Sequence, residues 1–114
     1  EISVSVDTHI AEITEGTINT YTINPQYFGL EPQDTQSLIA TNPTESLRII
    51  NAVFDGAVGP ATNIVAVNAG AAIYVAGICD SIRSGFSMAL DAIQTGNAKK
   101  TFNDFILFTK TVRE

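Results

Sequence analysis

Residues able to do chemistry are few and scattered. One histidine, His9, and one cysteine, Cys79, stand among 114 residues, too few for a Cys/His metal cluster. No nucleophile elbow and no glycine-rich phosphate loop of a recognised pattern is present. Glu1, Asp7 and Glu12 are the carboxylates near the N-terminal end, and nothing in their spacing joins them into a metal site. His9 opens a strand-like run and reads as a surface or half-buried imidazole. Cys79 reads as a small buried apolar residue, because no thiolate-stabilising cluster surrounds it in sequence. Asn63 and Asn68 interrupt an apolar helix five residues apart, hence on different faces. A buried amide needs hydrogen-bond partners, so both read as bridges from that helix to neighbouring segments.

The elements that must carry these residues are legible from pattern. His9–Ile13 and Ile18–Ile23 are rich in β-branched and aromatic residues, and the Glu15-Gly16 joint lets Gly16 take positive φ, which predicts a β-hairpin. Asn24 to Gly29 reads as one short helical turn with Pro25 at its first position. Leu30 to Thr41 has no sustained period and reads as a loop. A first helix starts at the Asn42 cap and Pro43, with Glu45 near a capping-box position and Leu47, Ile50, Val53 and Phe54 on one face, and closes at Gly56. A second runs from Gly59-Pro60 to about Ala76, and its Ala and Gly content implies close packing on more than one side. A third, from Asp80-Ser81 to Gly96, carries Ile82, Phe86, Leu90 and Ile93. A fourth, from about Ala98 to Val112, places Phe102, Phe105, Ile106, Thr109 and Val112 at helical spacing.

Composition bounds the rest. A chain of 114 residues fits one domain and can bury roughly two-thirds of the surface its unfolded form exposes. Twelve acidic residues against six basic ones give a net charge of −6, which repels a polyphosphate and disfavours nucleic-acid binding. Apart from Lys99-Lys100 the cations are dispersed, so the chain lacks the converging positive charge that a diphosphate needs. A single cysteine rules out an intramolecular disulfide and fits the cytoplasm. The apolar stretch Ile64–Cys79 falls short of the roughly 20 residues that span a bilayer, so no membrane partner is expected. No signal peptide is visible, and a start at Glu1 without methionine suggests a piece of something longer. Spacing alone leads to an α+β domain, residues 1–114 as a single unit, of unassigned function.

Four local patterns, in order, add a resemblance. Gly59 to Gly77 reads G-P-A-T-N-I-V-A-V-N-A-G-A-A-I-Y-V-A-G and resembles the G-P-A-x-D-x-V-x-L-N-A-A-A-A-L-Y-V-A-G segment of anthranilate phosphoribosyltransferases, with Asn63 in place of Asp. Tyr27-Phe28-Gly29-Leu30 is similar to the family's D-F-G-L, and Asn42-Pro43-Thr44-Glu45-Ser46 to its D-x-x-E-N helix start. Glu1-Ile2-Ser3, followed by Thr8-His9-Ile10-Ala11-Glu12-Ile13, is similar to its D-E-[IL]-S and T-x-V-x-E-L.

The resemblance implies an α/β fold: the C-terminal part of the larger α/β domain of a phosphoribosyltransferase resembling nucleoside phosphorylases, here a hairpin and about four helices. It implies transfer of the phosphoribosyl group of phosphoribosyl diphosphate to anthranilate, with release of diphosphate, in tryptophan biosynthesis. The implied cofactor is magnesium, held by the family's D-E pair, and the usual assembly is a homodimer whose contacts lie mainly in an N-terminal helical domain. Glu1 matches the second acid of that pair and is the one metal ligand that carries over. The family's G-T-G-G-D loop, its K-H-G-N segment and its anthranilate-binding residues have no counterpart here, so this chain alone is expected to be inactive and to need the remaining N-terminal part of the enzyme. The rival expectation is a non-catalytic interaction or scaffolding domain with the same helical packing. An Asp immediately before Glu1, preceded by the phosphate loop, would decide for the enzyme.

Overall fold

A computed structural model describes residues 1–112. Strand β1 (Thr8–Thr14) pairs antiparallel with β2 (Thr17–Ile23), in a register that sets Ile10 opposite Tyr21 and Thr14 opposite Thr17. Glu15 and Gly16 form the two-residue turn with φ of 51° and 77°. Both signs are positive, as a turn that follows the right-handed strand twist requires, so a glutamate occupies a left-handed position that the sequence assigned only to Gly16. Along β1 the half-buried residues are Thr8, Ile10 and Glu12, alternating with exposed His9 and Ala11, as the two-residue side-chain period dictates.

A 3-10 turn, Pro25–Phe28, is capped by Asn24 and ends at Gly29, whose φ is 74°. The following loop contains one further 3-10 turn, Gln36–Leu38, which no sequence period announced. Helix α1 (Pro43–Phe54) begins as its cap foretold, with the Asn42 side chain accepting from the Glu45 N–H at 2.9 Å. The Glu45 carboxylate reaches one residue further back than a capping box requires and accepts from both the backbone N–H and the hydroxyl of Thr41. Helices α2 (Pro60–Val75), α3 (Ile82–Gln94) and α4 (Asn97–Thr111) follow at the expected places.

The centre of the fold is the crossing of α2 and α3. A Cβ on Gly85 would lie 2.1 Å from the Gly70 carbonyl oxygen, and one on Gly70 would lie 2.4 Å from the Phe86 nitrogen. Both contacts are with backbone, so only glycine at both positions lets the two helices meet. Around this crossing lie Val67, Ala66, Ile82, Phe86, Ala89 and Ile93, all buried. Phe28 joins them edge-on to Phe86 at 5.2 Å, an arrangement favoured by the ring quadrupoles. Ile2 and Val4, from a segment with no periodic signal, complete this core, and Val4 is fully buried.

Two expected apolar faces are less buried than their spacing implied. On α1 only Val53 is buried, while Leu47 and Ile50 are exposed. No residue of α4 is buried. Phe102 packs on Phe54 at 4.9 Å, but Phe105 and Val112 stay exposed because no described element covers that side. The Cα radius of gyration is 15.5 Å, against about 13 Å for a closely packed domain of this length.

Candidate functional site around Glu1

Glu1 is exposed, and the residue that follows it is closely held. The Asn68 side chain, projecting from α2, accepts from the Ile2 N–H at 2.7 Å and donates to the Ile2 carbonyl at 2.9 Å. It also donates to the Ile64 carbonyl one turn earlier in its own helix at 2.9 Å. One amide group therefore grips both polar groups of residue 2, much as a neighbouring strand would, and both its N–H donors are used.

The residues after Ile2 are tied down by their own hydroxyls. The Ser3 N–H donates to Thr8 Oγ1 at 3.0 Å, while Ser3 Oγ accepts from the Ser5 and Val6 N–H groups. The Gln33 N–H donates to the Val4 carbonyl at 2.9 Å, and Asn63 Nδ2 donates to Gln33 Oε1 at 3.0 Å. Both asparagines thus do the bridging expected of them. Although they leave α2 in different directions, both lead to the segment after Glu1, Asn68 directly and Asn63 through Gln33.

Glu12, from the inward face of β1, accepts from Tyr74 of α2 at 2.5 Å and from Tyr21 of β2 at 2.9 Å. The Tyr74 hydrogen bond, then that from Tyr21, holds its carboxyl below the ordinary value of 4.5. Burial, followed by the hydrogen bond to Glu12, pushes the Tyr21 phenol up to about 12. Tyr74 is raised too, chiefly by the same carboxylate. This trio fastens the hairpin to α2. Glu12 and both tyrosines line an open, mainly apolar cleft of about 550 Å³ that Glu1 and Asn68 also line. The sequence named Glu12 without its role, since Tyr74 lies 62 residues away.

The remaining candidates stand apart. His9 is exposed, with Nδ1 2.9 Å from the hydroxyl of Thr22 across the hairpin, in line with the bland reading of it. Asp7 is exposed. Cys79 is half-buried rather than buried, because it sits in the turn between α2 and α3, where its S–H donates to the Ser81 carbonyl. Lys99 pairs with Asp55 and Lys100 with Asp104, so neither points its charge at Glu1.

Among the described residues no group of three His, Cys, Asp or Glu side chains could hold a metal ion. Magnesium keeps several waters and takes one or two carboxylates together with substrate phosphate oxygens. A single exposed carboxylate on a fixed backbone fits a share in such a shell and could not form an all-protein cage. No helix among the described residues is long and apolar enough to cross a membrane.

The anthranilate phosphoribosyltransferase of Polynucleobacter necessarius subsp. necessarius is 41% identical over 97% of the chain, and that of Methanobrevibacter smithii 40% identical over 97%. The chain spans about a third of the length of these relatives, 33% in each case. A solved structure, the anthranilate phosphoribosyltransferase of Thermus thermophilus, superposes with a TM-score of 0.85 at 24% identity, over 96% of this chain and 32% of that one. The hairpin and four helices thus belong to an α/β fold. Residues 1–99 match the family described as glycosyl transferase family, a/b domain, and the chain belongs to that family.

Proposed function

We propose that this chain is the C-terminal third of an anthranilate phosphoribosyltransferase, which transfers the phosphoribosyl group of phosphoribosyl diphosphate to anthranilate and releases diphosphate, a step of tryptophan biosynthesis. The observation that carries this reading is the fixed backbone beside Glu1. A segment with no helix or strand to stabilise it is held by α2, Thr8 and Gln33 so that one carboxylate faces solvent at the mouth of a cleft.

In this reading Glu1 is one ligand of magnesium on the diphosphate. The ion supplies charge neutralisation for the departing diphosphate. The chain's own part is to hold the Glu1 carboxylate at a set place before substrate arrives, so that little reorganisation remains for the reaction. The cations that bind phosphate, the anthranilate pocket and the contacts of a homodimer belong to the remaining two-thirds. A cytoplasmic location goes with the same assignment.

The test follows anthranilate by its fluorescence in the presence of phosphoribosyl diphosphate and magnesium. The full-length protein should consume it and the 114-residue chain should not. Glu1→Gln in the full-length protein should raise the magnesium requirement and lower turnover about 10-fold or more. Superimposable magnesium curves would remove Glu1 from the metal site. Absence of any anthranilate consumption by the full-length protein would favour a non-catalytic scaffold.

A further inference from the structure

We propose that Asn68 is a positioning residue for the Glu1 carboxylate, acting through the Ile2 backbone. The proposal rests on the reading of Glu1 as a magnesium ligand. A helix residue could satisfy its amide by bonding within its own helix or to water. Asn68 spends one N–H on Ile64 of its own helix, but gives the other N–H and its oxygen to the two backbone groups of the residue next to Glu1. Two opposed hydrogen bonds to one residue fix its orientation as well as its place, which a single bond does not. Ile2 is buried and Val4 fully so, so the backbone at residue 2 is restrained on its apolar side by the core and on its polar side by Asn68. The Ile2 N–H belongs to the peptide that joins Glu1 to Ile2, so the bond to Asn68 sets the plane of that peptide while the Glu1 side chain stays in solvent. Groups that orient a ligand without touching the metal commonly alter metal affinity when removed.

The experiment uses the full-length protein and two readouts that need no turnover. One is hydrogen exchange of the peptide covering Glu1 to Ser3. The other is calorimetric binding of phosphoribosyl diphosphate across a magnesium titration. Asn68→Ala should speed exchange of that peptide about 10-fold, the equivalent of one lost hydrogen bond. It should also raise the magnesium midpoint about 10-fold, as Glu1→Gln does. Thr62→Val is the control: it removes a buried hydroxyl bonded to the Ala57 carbonyl at the far end of α2, and should lower the melting temperature without moving either readout. Should Asn68→Ala not fold, Asn68→Ser keeps a hydroxyl that can bond the Ile64 carbonyl of its own helix but is too short to reach Ile2, and should still accelerate exchange.

A shifted midpoint for Glu1→Gln beside an unshifted one for the Asn68 variant would overturn the positioning role and leave Glu1 as a ligand. Unshifted midpoints for both would overturn the Glu1 reading, and the positioning role with it. A midpoint shift as large in Thr62→Val as in the Asn68 variant would reduce Asn68 to general stability.

Discussion

The α2–α3 crossing and helix α4 both show an apolar stripe at helical spacing, and the fold treats them in opposite ways. At the crossing, glycines bring two backbones into contact, and Ala66, Val67, Phe86 and Ala89 around them are buried. On α4 the stripe holds larger residues, yet Phe105 and Val112 are more than half exposed, at 61% and 64%, and Phe102 and Ile106 are only half-buried. Apolar content therefore does not rank the two regions by stability; the approach of a second element does. Small residues permit that approach, and aromatic ones wait for a surface to cover them.

The largest effect should come from putting bulk at the crossing. Gly85→Ala gains about 1 kcal/mol of helix propensity, but its Cβ would meet the Gly70 carbonyl at 2.1 Å. Backbone cannot swing aside, so a net loss of about 3 kcal/mol is expected by denaturant titration. Phe105→Ala is its counterpart and should cost under about 0.5 kcal/mol in the 114-residue chain. A much larger loss for Phe105→Ala in the full-length protein would show that this face of α4 is covered there.

Next in size is the link from α2 to the Glu1 segment. Asn68→Leu leaves the Ile2 N–H and carbonyl without the partners they have in the fold, and a cost of about 2 kcal/mol is expected. An unchanged melting curve would mean that water replaces both bonds.

The hairpin's tie to α2 should reveal itself through pH. The Glu12 carboxyl is below its ordinary 4.5 in the fold, so its contribution is present above that pH and fades as pH falls through the lower folded value. The Tyr21 phenol is raised from 10.0 to about 12, so the folded state keeps a proton that the unfolded chain loses. Its contribution is complete below pH 10 and fades between 10 and about 12. Tyr74→Phe removes the hydrogen bond that lowers the Glu12 carboxyl most and should flatten the acid limb. An acid limb identical to wild type would show that Tyr74 does not hold Glu12.

The smallest effect lies in the turn. Asn tolerates the left-handed conformation that Glu15 occupies at φ 51°, so Glu15→Asn should add about 0.5 kcal/mol. Loss of stability would mean that the Glu15 side chain has a role outside the turn.

Local signals carried the elements. Asn42 with Pro43, Ser81, Gly29 and Gly96 act within a few residues of themselves, so their helix ends and turns were readable in advance. The family motifs placed Glu1 and the α2 segment in order along the chain. Tertiary structure decided what those residues meet. Asn68 and Ile2 are 66 residues apart, and Glu12 and Tyr74 are 62 apart. Ile2 and Val4 are buried by elements far along the sequence, with no periodicity of their own to announce it. The spacing of α4 could show that it has an apolar face, but not that the described elements leave that face open. Hydrogen-bond direction and burial depend on which segments approach in space, whereas caps, turns and periodicity depend on neighbours a few bonds away.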